Sequence, residues 1–153
     1  RRGANVVAID LSPTLVGLAQ DRRPPIPGGG SVEFRVGDMT DAGLGRFDHV
    51  VAMDSLIHYR AEDIVGVLAN LASRTAHSIV FTFAPSTLPL EMMHAVGRLF
   101  PRGNRAPAIQ PVAAANLQRL VGAHADLAAW RCGRSERVSS GFYKSQMLEL
   151  ERR

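Results

Sequence analysis

The sequence predicts an α/β fold with a mostly parallel sheet and an antiparallel C-terminal strand. Short apolar, β-branched runs alternate with segments of helical period over residues 5–84, which is typical of a parallel sheet. Two more strands, predicted near Leu127–Gly133 and Gly141–Leu150, are joined by a short connection, and such strands pair antiparallel. The 153 residues, 46% of them hydrophobic, suit one globular domain with a real core.

The first third of the chain supplies two strands with a helix between them. The strands are predicted at Asn5–Asp10 and Val32–Val36. Ser12 as N-cap and Pro13 at the first helical position predict the helix start. Its inner face is predicted to carry Leu15, Val16, Leu18 and Ala19. Prolines and glycines make Pro24–Gly30 a surface loop.

A third strand runs into a cluster of polar side chains. The apolar run Val50–Met53 is typical of a parallel strand covered on both faces. Directly after it come Asp54, Ser55, His58 and Tyr59. Ligands of open α/β sheets bind at the carboxyl ends of the strands, so this loop is a candidate site. The alternative is that these polar groups only cap the next helix.

The remaining elements follow from apolar periodicity. A helix is predicted over Ala61–Arg74, with Ile64, Val67, Leu68 and Leu71 on one face, and a strand over Ser78–Ala84. Residues 86–100 look helical, residues 101–111 irregular, and a further helix is predicted over Val112–His124.

Composition excludes several classes of protein. The net charge is +4, but 17 of the 18 basic residues are arginines scattered along the chain, which argues against a nucleic-acid partner. Cys132 is the only cysteine, which excludes internal disulfides and favours a buried or half-buried thiol. No apolar run approaches the length of about 20 residues that a membrane span needs, so no stable membrane insertion and a cytoplasmic location are expected.

Two carboxylates stand at the ends of successive strands, Asp10 and Asp38. An acid after a strand can accept both hydrogen bonds of a ribose diol, and a second can accept from an adenine amino group. The pair therefore indicates a nucleoside-binding edge. Taken singly, each aspartate is also a common turn or helix cap. A nicotinamide-dependent dehydrogenase would share the strand-ending acid and is an alternative.

These motifs resemble the class I S-adenosylmethionine-dependent methyltransferases, with VVAID followed by SP, then VEFRVGDM and FDHVVAMDSLIHY. The last of these, together with GRLFPRGNRAPAI and SERVSSGFYKSQMLEL, is similar to the magnesium-protoporphyrin IX O-methyltransferase family of bacteriochlorophyll synthesis. The resemblance covers the chain from the second strand of the family to its end. It predicts a Rossmann-like sheet that lacks the family's first strand and glycine-rich loop.

The resemblance implies methyl transfer from S-adenosylmethionine to a propionate of magnesium-protoporphyrin IX. The expected cofactor-binding residues are Asp10, Leu11, Asp38, Met39, Asp54 and Ser55. His58 and Tyr59 are expected on the acceptor side. A propionate is already ionised at neutral pH, so His58 is expected to orient it or to shuttle a proton.

The resemblance also implies a substrate-binding insertion over residues 86–115. An apolar wall is expected from Leu88, Met92, Met93, Val96 and Phe100, with Arg102 or Arg105 meeting the second propionate. The magnesium would belong to the substrate, and no protein metal site is predicted. Delivery of the porphyrin by magnesium chelatase and a location peripheral to the photosynthetic membrane are family expectations.

The chain begins at Arg1 without the first strand of the family, so it is interpreted as a fragment whose isolated stability and activity are in question. Three alternatives remain at this point. The chain could be part of another small-molecule class I methyltransferase, of a non-catalytic binding module of the same fold, or of a nucleic-acid methyltransferase. The last predicts strongly salt-dependent binding to RNA or DNA.

Overall fold

The structure is a computed structural model that describes residues 3–23, 25, 28–86, 109–140 and 143–153. The chain forms two compact units, residues 1–45 and 46–153, which are described separately. In chain order, the elements are β1 (Asn5–Asp10), α1 (Pro13–Asp21), β2 (Ser31–Val36), β3 (Phe47–Ala52), α2 (Ala61–Ala72), β4 (Thr75–Phe83), α3 (Ala114–Ala123), β5 (Trp130–Ser140) and β6 (Tyr143–Arg152). Single 3-10 turns lie at Ala42–Leu44 and Ala125–Leu127.

The first unit is a parallel pair of strands with one helix. β1 and β2 pair in parallel, with Asn5 opposite Ser31 and Asp10 opposite Val36. The predicted cap of α1 is confirmed, because the Ser12 hydroxyl accepts from the Leu15 amide at 3.3 Å and Pro13 follows it.

The predicted inner face of α1 is only partly correct. Val16 is buried, whereas Leu15 and Leu18 are 53% and 41% exposed. In the described residues of the first unit, the helix therefore has a narrower buried stripe than its apolar content predicts.

The second unit is a four-stranded sheet in the order β3-β4-β6-β5. β3 and β4 are parallel, while β6 is antiparallel to both β4 and β5, so the mixed sheet predicted from the sequence is confirmed. The helices α2 and α3 contact each other and supply one side of the core. Its fully buried apolar side chains are Leu56, Ile64, Leu68, Ile79, Phe81, Phe83, Leu117, Leu127, Leu148, Leu150 and Val121.

The expectation that β3 is covered on both faces is wrong for the described residues. β3 lies at the edge of the four-stranded sheet, and Val51 and Met53 are 65% and 67% exposed. The neighbouring Ala52 is buried. The exposed Val51 and the buried Ala52 lie on opposite faces of β3, so an apolar run here did not mean burial on both sides.

Two further boundaries differ from the prediction. α3 begins at Ala114 because Val112 forms a parallel bridge with Pro85. β5 begins at Trp130 because Leu127 is buried in a 3-10 turn, and it continues to Ser140 through a polar stretch. Apolar periodicity misses such a strand, since a strand at a sheet edge can be polar on both faces.

Candidate active site

The carboxyl ends of β1 and β2 bring Asp10 and Asp38 to one edge of the first unit. Asp10 pairs with Val36 in the sheet register, and the Gly37 amide donates to the Asp10 carbonyl at 3.0 Å. Asp38 follows directly, so the two predicted acids are neighbours at the edge where ligands of such sheets bind.

Each of these carboxylates is also held by its own turn. Oδ1 of Asp10 accepts from the Ser12 amide at 2.8 Å. Oδ1 of Asp38 accepts from the amide of Thr40 at 2.7 Å and from its hydroxyl at 2.8 Å. The capping alternative is therefore present in the structure. Both residues are exposed, and within the described residues the second oxygen of each carboxylate has no hydrogen-bond partner. An open acceptor of this kind fits a ribose hydroxyl or an amino group.

The turn from Asp38 to Thr40 also favours the ionised form of the Asp38 carboxyl. Hydrogen bonds from the Thr40 amide, and secondly from the Thr40 hydroxyl, lower the pKa of the Asp38 carboxyl below its ordinary value. The group is therefore ionised at neutral pH. The side chain of Leu11 is 72% exposed next to Asp10, and Met39 is half-buried. Leu11 thus offers an apolar surface beside the open carboxylate.

The loop after β3 starts with an unusual backbone conformation. Asp54 has φ of +52°, and among the described residues it is the only one other than glycine with positive φ. Such a conformation costs on the order of 1–3 kcal/mol and persists only where the surroundings hold it. The Asp54 amide donates to Oγ1 of Thr82 at 2.7 Å, and Oγ1 of Thr82 donates to Oδ1 of Asp54 at 3.1 Å.

The rest of the loop is anchored by one apolar side chain. Leu56 is fully buried, and the Tyr59 amide donates to the Leu56 carbonyl at 3.1 Å to close a turn. The Ser55 hydroxyl donates to the Met53 carbonyl at 3.0 Å. With Leu56 inside, His58 and Tyr59 lie on the exposed side of the loop. The second unit therefore presents these two side chains to solvent at the carboxyl end of β3.

The described ends of the predicted insertion are hydrogen-bonded to each other, and its carboxyl-terminal end is bonded to this loop. The Ser86 amide donates to the Val112 carbonyl at 2.9 Å, and the Val112 amide donates to the Ala84 carbonyl at 2.8 Å. The Gln110 amide donates to the Ile57 carbonyl at 2.8 Å. The predicted substrate residues, Leu88, Met92, Met93, Val96, Phe100, Arg102 and Arg105, lie outside the described residues.

Two contributions to the loop were not predicted from the sequence. The role of Thr82 was not predicted because its partner Asp54 lies 28 positions away and only the tertiary structure brings them together. The amide of Gln110, which bonds to Ile57, lies in a stretch without periodicity. A polar residue in an otherwise apolar strand was the one visible cue for Thr82.

A cavity of about 530 Å³ lies elsewhere in the second unit, at the carboxyl-terminal end of α2. Its lining includes Asn70, Ser73, His124 and Asp126. Because His58 and Tyr59 precede the amino-terminal end of α2, this cavity is not part of the loop after β3. The loop after β3, where strand-end geometry and polar groups coincide, remains the predicted site.

Within the ranges that the structure describes, no three His, Cys, Asp or Glu side chains are grouped so that they could hold a metal ion. No helix in those ranges is long and apolar enough to cross a membrane.

Comparison with known proteins identifies the family. A family model described as the C-terminus of magnesium-protoporphyrin IX methyltransferase matches residues 52–152. A general methyltransferase-domain model matches residues 1–77. Because both matches are to methyltransferases, the dehydrogenase alternative is set aside.

Individual relatives agree with the two family models. The chain is 52% identical over 149 residues to magnesium-protoporphyrin O-methyltransferase of Rhodobacter capsulatus, covering 97% of this chain and 63% of the relative. It is 29% identical over 150 residues to the chloroplastic magnesium protoporphyrin IX methyltransferase of Arabidopsis thaliana, covering 97% of this chain and 46% of the relative. The chain thus spans less than two thirds of the length of these relatives.

A solved structure gives the same result for the fold. The crystal structure of magnesium protoporphyrin IX methyltransferase from Synechocystis PCC 6803 with bound SAH superposes with a TM-score of 0.78 at 30% identity, covering 99% of this chain and 65% of that one. The predicted Rossmann-like methyltransferase fold, with parallel strands and antiparallel C-terminal strands, is therefore confirmed. The chain belongs to the magnesium-protoporphyrin IX methyltransferase family.

Proposed function

We propose that the protein carrying this chain transfers a methyl group from S-adenosylmethionine to a propionate carboxylate of magnesium-protoporphyrin IX. The product would be the monomethyl ester, an intermediate of (bacterio)chlorophyll biosynthesis. The observation that carries the proposal is the family match over residues 52–152, which includes the whole loop after β3.

The first unit would bind the nucleoside part of the cofactor. The open oxygen of Asp10 fits a ribose hydroxyl, and Asp38, ionised and held by Thr40, fits an amino or hydroxyl donor. We propose that Leu11 and Met39 pack against the adenine. In the second unit, Asp54 and Ser55 would contact the methionine part.

The main contribution of the protein to the reaction would be to align the methyl donor with the propionate oxygen. Bound S-adenosylmethionine supplies a methyl group on a sulfonium, and the propionate oxygen forms the new O–C bond as the C–S bond breaks. The propionate is ionised at neutral pH, so no strong base is required. We propose that His58 orients this carboxylate and that Tyr59 helps to exclude water from it.

We propose that the rest of the porphyrin site comes from residues 86–115. An apolar wall with a cationic rim suits a flat ring with anionic arms, and Met92, Met93, Val96, Phe100, Arg102 and Arg105 supply those residue types. The support from described residues is that the carboxyl-terminal end of this segment is hydrogen-bonded to the loop that carries His58. The magnesium would enter as part of the substrate.

Two finer expectations concern the surroundings of the protein. We propose that magnesium chelatase hands over the porphyrin and that the protein is cytoplasmic and peripheral to the photosynthetic membrane. Co-purification with chelatase subunits in the presence of magnesium-protoporphyrin tests the first. Release from a membrane fraction by salt without detergent tests the second, and retention until detergent is added would contradict it.

The proposed activity can be tested with a chimera. The chain replaces the matching 63% of the Rhodobacter capsulatus relative, and the relative supplies the rest of the protein. The chimera, the isolated chain and the parent relative are each incubated with S-adenosylmethionine and magnesium-protoporphyrin IX, and the product is analysed by mass spectrometry. We expect the chimera to form a product heavier by one CH₂ unit.

The other outcomes separate the alternatives. A folded chimera that binds S-adenosylmethionine without forming product would retain the methyltransferase interpretation and redirect the search to another acceptor. A folded chimera that does neither would overturn the proposal and favour a non-catalytic binding module. The parent relative serves as the positive control for substrate and assay.

A further inference from the structure

Both hydrogen bonds that the Thr82 hydroxyl makes within the described residues are to one residue of the loop after β3. Its oxygen accepts from the Asp54 amide at 2.7 Å and its proton goes to Oδ1 of Asp54 at 3.1 Å. A threonine hydroxyl has a single proton to donate, so this proton cannot also serve a bound ligand. The donor of this hydroxyl is therefore committed to Asp54.

Thr82 is itself a rigid support. It is 7% exposed and lies in β4 between Phe81 and Phe83, which are 0% and 1% exposed. β4 is paired on both sides, with β3 in parallel and with β6 antiparallel. The backbone of β4 is therefore bonded on both sides and anchored in the core by Phe81 and Phe83, so the strand that carries the Thr82 hydroxyl has little freedom to move.

Asp54 needs that support because of its backbone. Its φ of +52° is in the left-handed region, which aspartate tolerates better than most residues but does not prefer. A return to negative φ would change the direction in which the chain leaves β3. The positions of Ser55, His58 and Tyr59 all depend on that direction, because they follow Asp54 within five residues.

We infer that Thr82 is a positioning residue for methyl transfer, which holds Asp54 in the left-handed conformation and thereby sets the course of the loop that carries His58. The inference rests on the proposed function. It adds a residue from a different strand, which acts through Asp54. Small displacements of an aligning group cost large factors in rate, so the effect should be seen in turnover.

Three variants separate this role from plain stability. Thr82→Val removes the hydroxyl with little change of shape, and Thr82→Ser keeps it. Thr75→Val is the matched control, because Thr75 lies in the same strand, is fully buried and donates its hydroxyl to the Leu71 carbonyl at 2.8 Å. Each is made in the chimera, and kcat, KM, the Kd for S-adenosylmethionine, the Tm and amide hydrogen exchange are measured.

We expect Thr82→Val to lower kcat/KM about tenfold or more and to speed exchange of the Asp54 amide. Thr82→Ser should stay within about threefold of the parent. Thr75→Val should lower the Tm by as much as Thr82→Val and leave kcat/KM and Asp54 exchange unchanged. This pattern would support the inference.

Equal losses of activity in Thr82→Val and Thr75→Val would overturn it, since both would then act through stability. Loss of activity in Thr82→Ser equal to that in Thr82→Val would also overturn it. If the parent chimera neither binds S-adenosylmethionine nor turns over, the proposed function has failed. The positioning role then fails with it, while Asp54 exchange in Thr82→Val still decides whether Thr82 holds the loop.

Discussion

The strand-end loops of the two units hold their aspartates in different ways. In the first unit, Asp10 and Asp38 accept hydrogen bonds from residues two positions further along the chain. In the second unit, Asp54 is held by Thr82, 28 positions away on a buried strand. A local turn forms wherever its own few residues can fold. The loop after β3 depends on the integrity of the core of the second unit.

The largest expected effect tests this dependence on the core. Phe81→Ala empties a fully buried site next to Thr82 and should lower the free energy of unfolding by about 3–5 kcal/mol. Val51→Ala on the adjoining strand is the control. Because Val51 is 65% exposed, its truncation should cost less than about 0.5 kcal/mol. Urea denaturation measures both, and similar losses would mean that the Val51 face is covered in solution.

The next effect concerns the side chain that the loop presents. If His58 aligns the acceptor, His58→Ala in the chimera should lower kcat about 100-fold while the Kd for S-adenosylmethionine stays within about threefold. His49→Ala is the matched control, because His49 is exposed on β3 and bonds to Ser78 at 2.8 Å. Calorimetry and steady-state kinetics give the two quantities. Parallel losses of binding and turnover in His58→Ala would contradict an acceptor-side role.

A smaller effect separates the two possible roles of Asp10. Asp10→Asn keeps an oxygen that can accept from the Ser12 amide but loses the charge, so it should weaken S-adenosylmethionine binding about tenfold with the Tm unchanged. Asp10→Ala also loses the hydrogen bond from the Ser12 amide and should lower both the affinity for S-adenosylmethionine and the Tm. Calorimetry and thermal melts distinguish the cases. Full affinity in Asp10→Asn would leave Asp10 as a turn residue only.

The smallest effect concerns the ionisation of Asp38. Thr40→Ala removes the hydroxyl donor and leaves the amide, which makes the larger contribution, so the pKa of Asp38 should rise only part of the way to its ordinary value of 3.8. A carbon-detected NMR titration measures it, with Thr14→Ala as the control in the same unit.

The sign of the pH effect follows from the lowered pKa. Any stability that Asp38 contributes is fully present above its ordinary pKa and is lost as the pH falls through the lowered value. Cofactor binding should therefore show no change due to Asp38 between about pH 5 and pH 8. If Asp38 caused the affinity for the cofactor to fall between those two pH values, the Thr40 hydrogen bonds that lower its pKa would have to break when the cofactor binds.

Local signals predicted what local interactions determine. Strand ends and helix starts have sequence preferences, so the sequence predicted Asp10, Asp38 and the cap at Ser12. Thr82 was not predicted, since its role needs the register of β3 against β4. The extent of β5 was missed for a related reason, because its residues 134–140 carry almost no apolar signal.

The polar character of β5 has a consequence for association between molecules. In the described sheet, β5 is the last strand, and its outer edge carries backbone groups that another strand could bind. Its arginines pair inward with β6, Arg131 with Glu151 and Arg134 with Glu149. Charged side chains along such an edge disfavour the stacking of one copy onto the next. The strand that was hardest to recognise in the sequence thus disfavours edge-to-edge pairing at its own end of the sheet.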